Sequence, residues 1–138
     1  QLDKALDEYD QVLKEYPKSF YSDYAQYQLG SVLSRLGRLD TAILSFQSLL
    51  ANFPQSHFRA EALYRLGSAW MQKQNFPEAA DQFRKLVAVY PESSLKEKAY
   101  YQIGICYFNT NDFDKAIAVF KDIYSRASDA DVARLAAQ

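Results

Sequence analysis

The chain has 138 residues, 49% of them hydrophobic, and a formal net charge of -1. That length buries a core without disulfides or metals, and the single cysteine, Cys106, excludes an intramolecular disulfide. Balanced, interspersed charge gives no electrostatic footprint for nucleic acid or an anionic membrane, and no apolar run reaches the ~20 residues of a membrane-spanning helix.

Residues 2–16 predict an amphipathic helix. Leu2, Ala5, Leu6, Tyr9 and Leu13 recur at helical spacing, and Pro17 closes the segment. Residues 18–54 follow with a helix from the serine at Ser19, through Ala25-x-Tyr27-x-Leu29-Gly30, to Leu36. A break at Gly37-Arg38 then leads into a second helix carrying Leu39, Ala42, Ile43, Phe46 and Leu49 before Pro54. Residues 55–91 repeat this order, from Ser56 through Ala62 and Gly67 to the break at Gln74-Asn75, then Ala79, Phe83 and Pro91. Residues 92–128 repeat it again with Ser93, Ala99, Gly104, the break at Asn111-Asp112, Ala116 and Phe120.

The step is 37 residues throughout, as Pro17, Pro54 and Pro91 show. The serines are expected to cap the first helices, and Asn75 and Asp112 the second ones, with Pro77 in a first turn where a missing donor costs little. Strict alternation of apolar and polar residues is nowhere found, so the fold is expected to be all-α. Leu2 to Pro17 align with Leu39 to Pro54, which makes residues 1–17 the second helix of a truncated repeat. Ala136 falls 37 after Ala99, so residues 129–138 are expected to begin another first helix.

A glycine on the first helix, an alanine twelve residues later, an aromatic four beyond that and a closing proline resemble the tetratricopeptide repeat, usually 34 residues long. The three extra residues fall after the proline and lengthen each first helix by about 4.5 Å. The form with Tyr-Pro-x-Ser is similar to repeats of bacterial envelope proteins, such as those of the Tol-Pal and outer-membrane assembly systems. The resemblance implies a right-handed α-solenoid of helix-turn-helix units without catalysis or cofactors. Glycine and alanine would let paired helices approach, which places Gly67 beside Ala79. It also implies a protein or peptide partner, and a periplasmic or outer-membrane-associated setting, with the cytoplasm as alternative.

In that family the first helices line a concave face. Carried over by position, the binding groove would hold Tyr24, Tyr27, Gln28, Ser31 and Arg35 from the first full repeat. The second would add Glu61, Tyr64, Arg65, Ser68, Met71 and Gln72, and the third Lys98, Tyr101, Gln102, Ile105, Phe108 and Asn109. Tyr27 and Ser31 replace the lysine and asparagine with which some family members hold a chaperone carboxylate, so that ligand is not expected. A tyrosine ladder flanked by Gln28, Arg65 and Gln102 suits an extended peptide. The alternative is structural, with the tyrosines wedging repeats together.

No catalytic set is evident. His57 stands alone, Cys106 falls on a packed helix side, and Asp7-Glu8 and Asp112-Asp114 suit helix starts or exposed faces. An interaction scaffold is the leading expectation. A spacer or self-assembly segment, associating through apolar ends, is the second, and an accessory domain of a larger enzyme the third.

Overall fold

A computed structural model describes residues 1–17 and 21–137. Among them are seven helices and no strand: α1 Leu2–Glu15, α2 Ser22–Arg35, α3 Leu39–Asn52, α4 Arg59–Gln72, α5 Phe76–Val89, α6 Lys96–Asn109 and α7 Phe113–Ala136. Each helix packs on its neighbours in the chain, α1 on α2 through to α6 on α7, and α2 also touches α4. Contacts that are this local define a solenoid.

Two kinds of turn alternate. Within a unit, the first helix ends on a residue in the left-handed region: Gly37 (φ 77°), Gln74 (61°) and Asn111 (64°). The next amide then reaches back to Leu33, Trp70 or Tyr107, at 2.9 Å each time, which satisfies a carbonyl that the helix end would leave unpaired. Between units, the second helix stops at Tyr16, Phe53 and Tyr90, all with φ between -133° and -122°. Each precedes a proline, whose ring pushes it out of the helical region.

The serines do not cap as expected. Helices α4 and α6 start only after Phe58 and Leu95, with no side-chain cap. Ser56 and Ser93 instead accept the amides of Phe58 and Leu95 at 3.0 and 3.1 Å, closing a turn before the helix. Ser19 lies outside the described residues. Asn75 does cap α5, accepting from the Glu78 amide at 3.3 Å, with Pro77 in the first turn. Asp112 makes no such bond and pairs with Lys115 instead.

The paired helices meet where the repeat predicts. A Cβ built on Gly30, Gly67 or Gly104 would lie 2.6 Å from the ring of Phe46, Phe83 or Phe120 on the same unit's second helix. The nearest neighbour of Gly67 is therefore Phe83, one turn beyond the expected Ala79. Phe46, Phe83, Leu49, Leu86 and the small residues Ala42, Ala62, Ala79 and Ala99 form the fully buried spine. Arg59 ties the turns together, donating to the carbonyls of Leu50 (2.7 Å) and Phe53 (3.2 Å) and to the Tyr90 hydroxyl (2.8 Å).

The largest departure from expectation is at the C-terminal end. In place of a second helix closing near 128 and a new one opening at 129, α7 runs unbroken for 24 residues. The three residues that make the inter-unit turn elsewhere are replaced. Ala127 stands for the aromatic of Phe53 and Tyr90, Ser128 for the proline, and Ala130 for the turn-closing serine. Arg126 fixes the helical course at this point by donating to Glu97 at 2.6 Å while its guanidinium lies over the Tyr100 ring of α6.

Candidate binding groove

First helices α2, α4 and α6 occupy alternate places in the stack, so the same helix face recurs in each unit. The residues three before each glycine mark that face. Tyr27, Tyr64 and Tyr101 each lean on the phenylalanine of their own unit, with ring centroids 6.1, 5.4 and 5.6 Å from Phe46, Phe83 and Phe120. The tyrosine ring thus covers the aromatic that fills the space opposite the glycine.

Between these helices lies a cleft of about 330 Å³. It collects Tyr27, Glu61, Tyr64, Arg65 and Lys98 of the expected groove, together with Ser68 and Gln72. Ser34, Ala69 and Leu95 complete its wall. Arg65 is exposed, and its Nε donates to the Tyr27 hydroxyl at 2.8 Å with the guanidinium over the ring. Ser68 donates to the Tyr64 carbonyl. Oε2 of Glu61 is buried and has no hydrogen-bond partner among the described residues. The cleft therefore offers ring faces, two cationic side chains and an acceptor in want of a donor.

Other expected groove residues fall elsewhere. Tyr24 is exposed beside Phe58 at 5.7 Å, and Arg35 is exposed outside the cleft. Gln28 and Gln102 are half-buried and do not line it, and Ser31 is buried with its hydroxyl unpaired among the described residues. Met71 packs against the central core. Tyr101, Ile105 and Phe108 line a separate apolar cleft against α7, and Asn109 donates to the Ile105 carbonyl.

Two contributors escape the sequence reading. Phe58 stacks on Tyr27 at 5.3 Å with the rings 16° apart, and Leu95 takes the same position one repeat later, in the wall of the cleft. The signal was present: Phe58, Leu95 and Val132 are apolar residues 37 apart.

Cys106 is buried on α6 as expected, and burial pushes its thiol up to about 11. The thiol is therefore protonated and a poor nucleophile at neutral pH. Among the described residues no group of three or more His, Cys, Asp or Glu could hold a metal ion, and no helix is long and apolar enough to cross a membrane.

The repeated helix pair, the glycine-to-phenylalanine contact and the alternating turns define an α-solenoid of helix-turn-helix repeats. The chain belongs to the tetratricopeptide repeat family, whose model matches residues 1–57, 27–94 and 74–132. This fold generally serves protein–protein interaction. No curated protein matches the chain. Among solved structures it is similar to MamA, at 28% identity and TM-score 0.74, covering 90% of this chain and 67% of that one. MamA from Desulfovibrio magneticus RS-1 matches at 24% identity and TM-score 0.72, covering 90% and 65%. A tetratricopeptide repeat protein from Parabacteroides merdae matches at 20% identity and TM-score 0.77, covering 90% and 46%. These last two likenesses show the fold alone. The chain spans about two thirds of the MamA structures and less than half of the Parabacteroides one. The Tol-Pal and outer-membrane assembly resemblance gains no support from these matches.

Proposed function

We propose that the cleft between α2, α4 and α6 binds an extended peptide or protein segment. The observation that carries this reading is the convergence of Tyr64, Arg65, Lys98 and the Glu61 carboxylate, one oxygen of which has no partner among the described residues, on a single cleft. A buried acceptor without a partner costs free energy until a donor arrives. A peptide supplies both what is missing and what complements it. Its amide or ammonium donates to Glu61, its carbonyls or carboxylates accept from Arg65 and Lys98, and an apolar side chain lies on the Tyr64 ring. Tyrosine and arginine are also the residue types on which binding energy concentrates.

The test is selection of binding peptides from a displayed library, followed by titration against variants. Tyr64→Ala with Arg65→Ala should weaken a selected peptide at least tenfold with helix content unchanged. Phe83→Ala should instead destabilise the fold by about 3–5 kcal/mol. Peptides that bind the double variant as well as the parent would remove the cleft from consideration.

A second reading is favoured by Tyr27. Its ring is occupied by Phe58 of the next unit and its hydroxyl by Arg65, which makes it a wedge between repeats and suits a spacer role. Unfolding of Tyr64→Ala as readily as Phe83→Ala would extend that role to the whole ladder. For setting, we infer the bacterial envelope from the Tyr-Pro-x-Ser form of the repeat alone. Fractionation of the native protein into the cytoplasm would overturn it.

A further inference from the structure

The same apolar face occurs three times at 37-residue intervals, and only two copies are covered. Ile43 and Ala80 are 4% and 3% exposed, while their counterpart Ile117 is 49% exposed. Leu49 and Leu86 are fully buried, but Ile123 is only partly so. Leu50 and Val87 are half-buried, whereas Tyr124 is 76% exposed. The covering element in the first two cases is the next first helix: α4 packs on α3 and α6 on α5. On the third face, Tyr101, Phe108, Phe120, Ile123 and Tyr124 wall an open cleft of about 620 Å³. An apolar patch continuous with two buried inter-repeat interfaces calls for the same kind of cover.

The chain carries a segment that fits. Val132 and Ala136 stand 37 residues after Leu95 and Ala99, which α6 packs into the core beside Leu86 of α5. Their present position wastes them, since Val132 and Leu135 are 63% and 66% exposed on the distal half of α7. Leu86 and Ala99 share one core cluster because a turn brings them together. Their counterparts, Ile123 and Ala136, sit on one continuous helix, ~20 Å apart along its axis. With α7 straight, Val132 and Ala136 cannot fold back onto the cleft of their own copy.

Two copies can. A two-fold axis passing beside α7 at the level of residue 129 sets the two α7 helices side by side and antiparallel, the direction in which α6 returns along α5 after its short turn. Ala136 of each copy then meets Ile123 of the other, Leu135 comes level with the other's Tyr124, and Val132 with its Ala127 at the end of the cleft. We propose that two copies of this chain exchange the distal halves of α7, each filling the apolar cleft that α6 and α7 of the other leave open. The loss of the turn residues at Ala127, Ser128 and Ala130 is what commits the helix to exchange over closure. The dimer would tie two grooves into one molecule, but it stands or falls independently of peptide binding.

The test uses the full 138-residue chain in a Cys106→Ala background, with Ile123→Cys and Ala136→Cys together. Oxidation should give a covalent dimer whose mapped disulfide joins 123 of one copy to 136 of the other, and light scattering of the parent chain should give twice the chain mass. An intramolecular 123–136 disulfide would show that α7 bends back on itself and would overturn the proposal. So would disulfides joining 123 to 123, or a chain that stays monomeric at the highest soluble concentration. Val132→Asp with Leu135→Asp should weaken dimerisation at least tenfold at unchanged helix content, because both residues are exposed in the single copy. Rebuilding the turn with Ala127→Tyr, Ser128→Pro and Ala130→Ser should convert the intermolecular disulfide into the intramolecular one. A rebuilt chain that still cross-links between copies would mean that exchange is not what joins them.

Discussion

The contact of Gly67 with Phe83 can be probed with a single methyl group. An alanine Cβ at 67 would lie 2.6 Å from the far carbon of the Phe83 ring and 2.8 Å from the two beside it. Carbon atoms rest at about 3.5–4.0 Å, so the ring must retreat by roughly 1 Å. Phe83 is fully buried and has no open side to move into. Overpacking of this kind costs about 1–3 kcal/mol, and the better helix propensity of alanine returns about 1 kcal/mol. With Phe83 fully buried the overpacking cost falls in the upper part of its range, and we expect Gly67→Ala to be destabilising by about 1–2 kcal/mol. The molecule holds its own control, because Gly104 makes the same 2.6 Å approach to Phe120, but Phe120 is only partly buried and borders the open cleft. In a single copy its ring can swing outward, with Val119 the only other close contact of the added Cβ at 3.1 Å, so at concentrations that keep the chain monomeric Gly104→Ala should cost less than Gly67→Ala. Urea titrations followed by circular dichroism, compared at equal m, measure both. In a cycle with Phe83→Leu, which removes the offending ring edge, the two substitutions should couple by about 1 kcal/mol in the compensating sense. Additive effects, or a Gly67→Ala chain as stable as Gly104→Ala, would refute the steric reasoning.

The left-handed turn positions should respond in opposite directions. Gln74→Gly should stabilise by up to ~1 kcal/mol by relieving a positive φ of 61°, and Gly37→Ala, with open space around it, should destabilise by about 1 kcal/mol through backbone strain alone; denaturation midpoints check both. Arg59→Met should cost about 1–3 kcal/mol by orphaning the Leu50 carbonyl and taking one of two donors from the Phe53 carbonyl, which keeps the Ser56 amide, and Arg59→Lys should not restore it, because one ammonium cannot hold three partners in those directions. The Cys106 thiol is raised to about 11 by burial, above the ~8.5 of an unfolded chain. Between those values the unfolded state has lost the proton that the native state keeps, so stability falls as pH rises from about 9 to 11. The denaturation midpoint of Cys106→Ala should fall less steeply over that range than that of the parent.

How much of this was legible in the residues depends on which forces decide each feature. Helix pairing was legible because it is written twice, once in local propensity and once in the spacing of Gly67 to Phe83, and both agree. The turns were legible in place but not in mechanism. Ser56 and Ser93 have the chemistry of helix caps. Whether such a hydroxyl takes the amide of a turn or of a helix depends on where the helix begins, which Phe58 and Leu95 settle by packing on the preceding unit. The candidate groove was legible only as a helix face. Residues at the same face position diverge once neighbours are added: Tyr27 meets Phe58, Tyr64 borders the cleft, and Tyr101 turns to an uncovered end.

The C-terminal end shows where a periodic argument overreaches. Ala136 keeps the 37-residue step from Ala99, and that agreement alone suggests a new helix. A helix ends, however, because something ends it, and the step says nothing about that. At Tyr16, Phe53 and Tyr90 the following proline forbids the helical conformation, and at Ser56 and Ser93 a hydroxyl stabilises the turn that results. Ala127, Ser128 and Ala130 supply neither, while Arg126 holds the helix in line through Glu97 and Tyr100. Alanine is also the best helix former, so each substitution favours continuation as well as removing the stop. The repeat therefore persists in the side chains that would pack and lapses in those that would turn. That combination leaves Val132 and Ala136 matched to a cleft that they cannot reach within one copy.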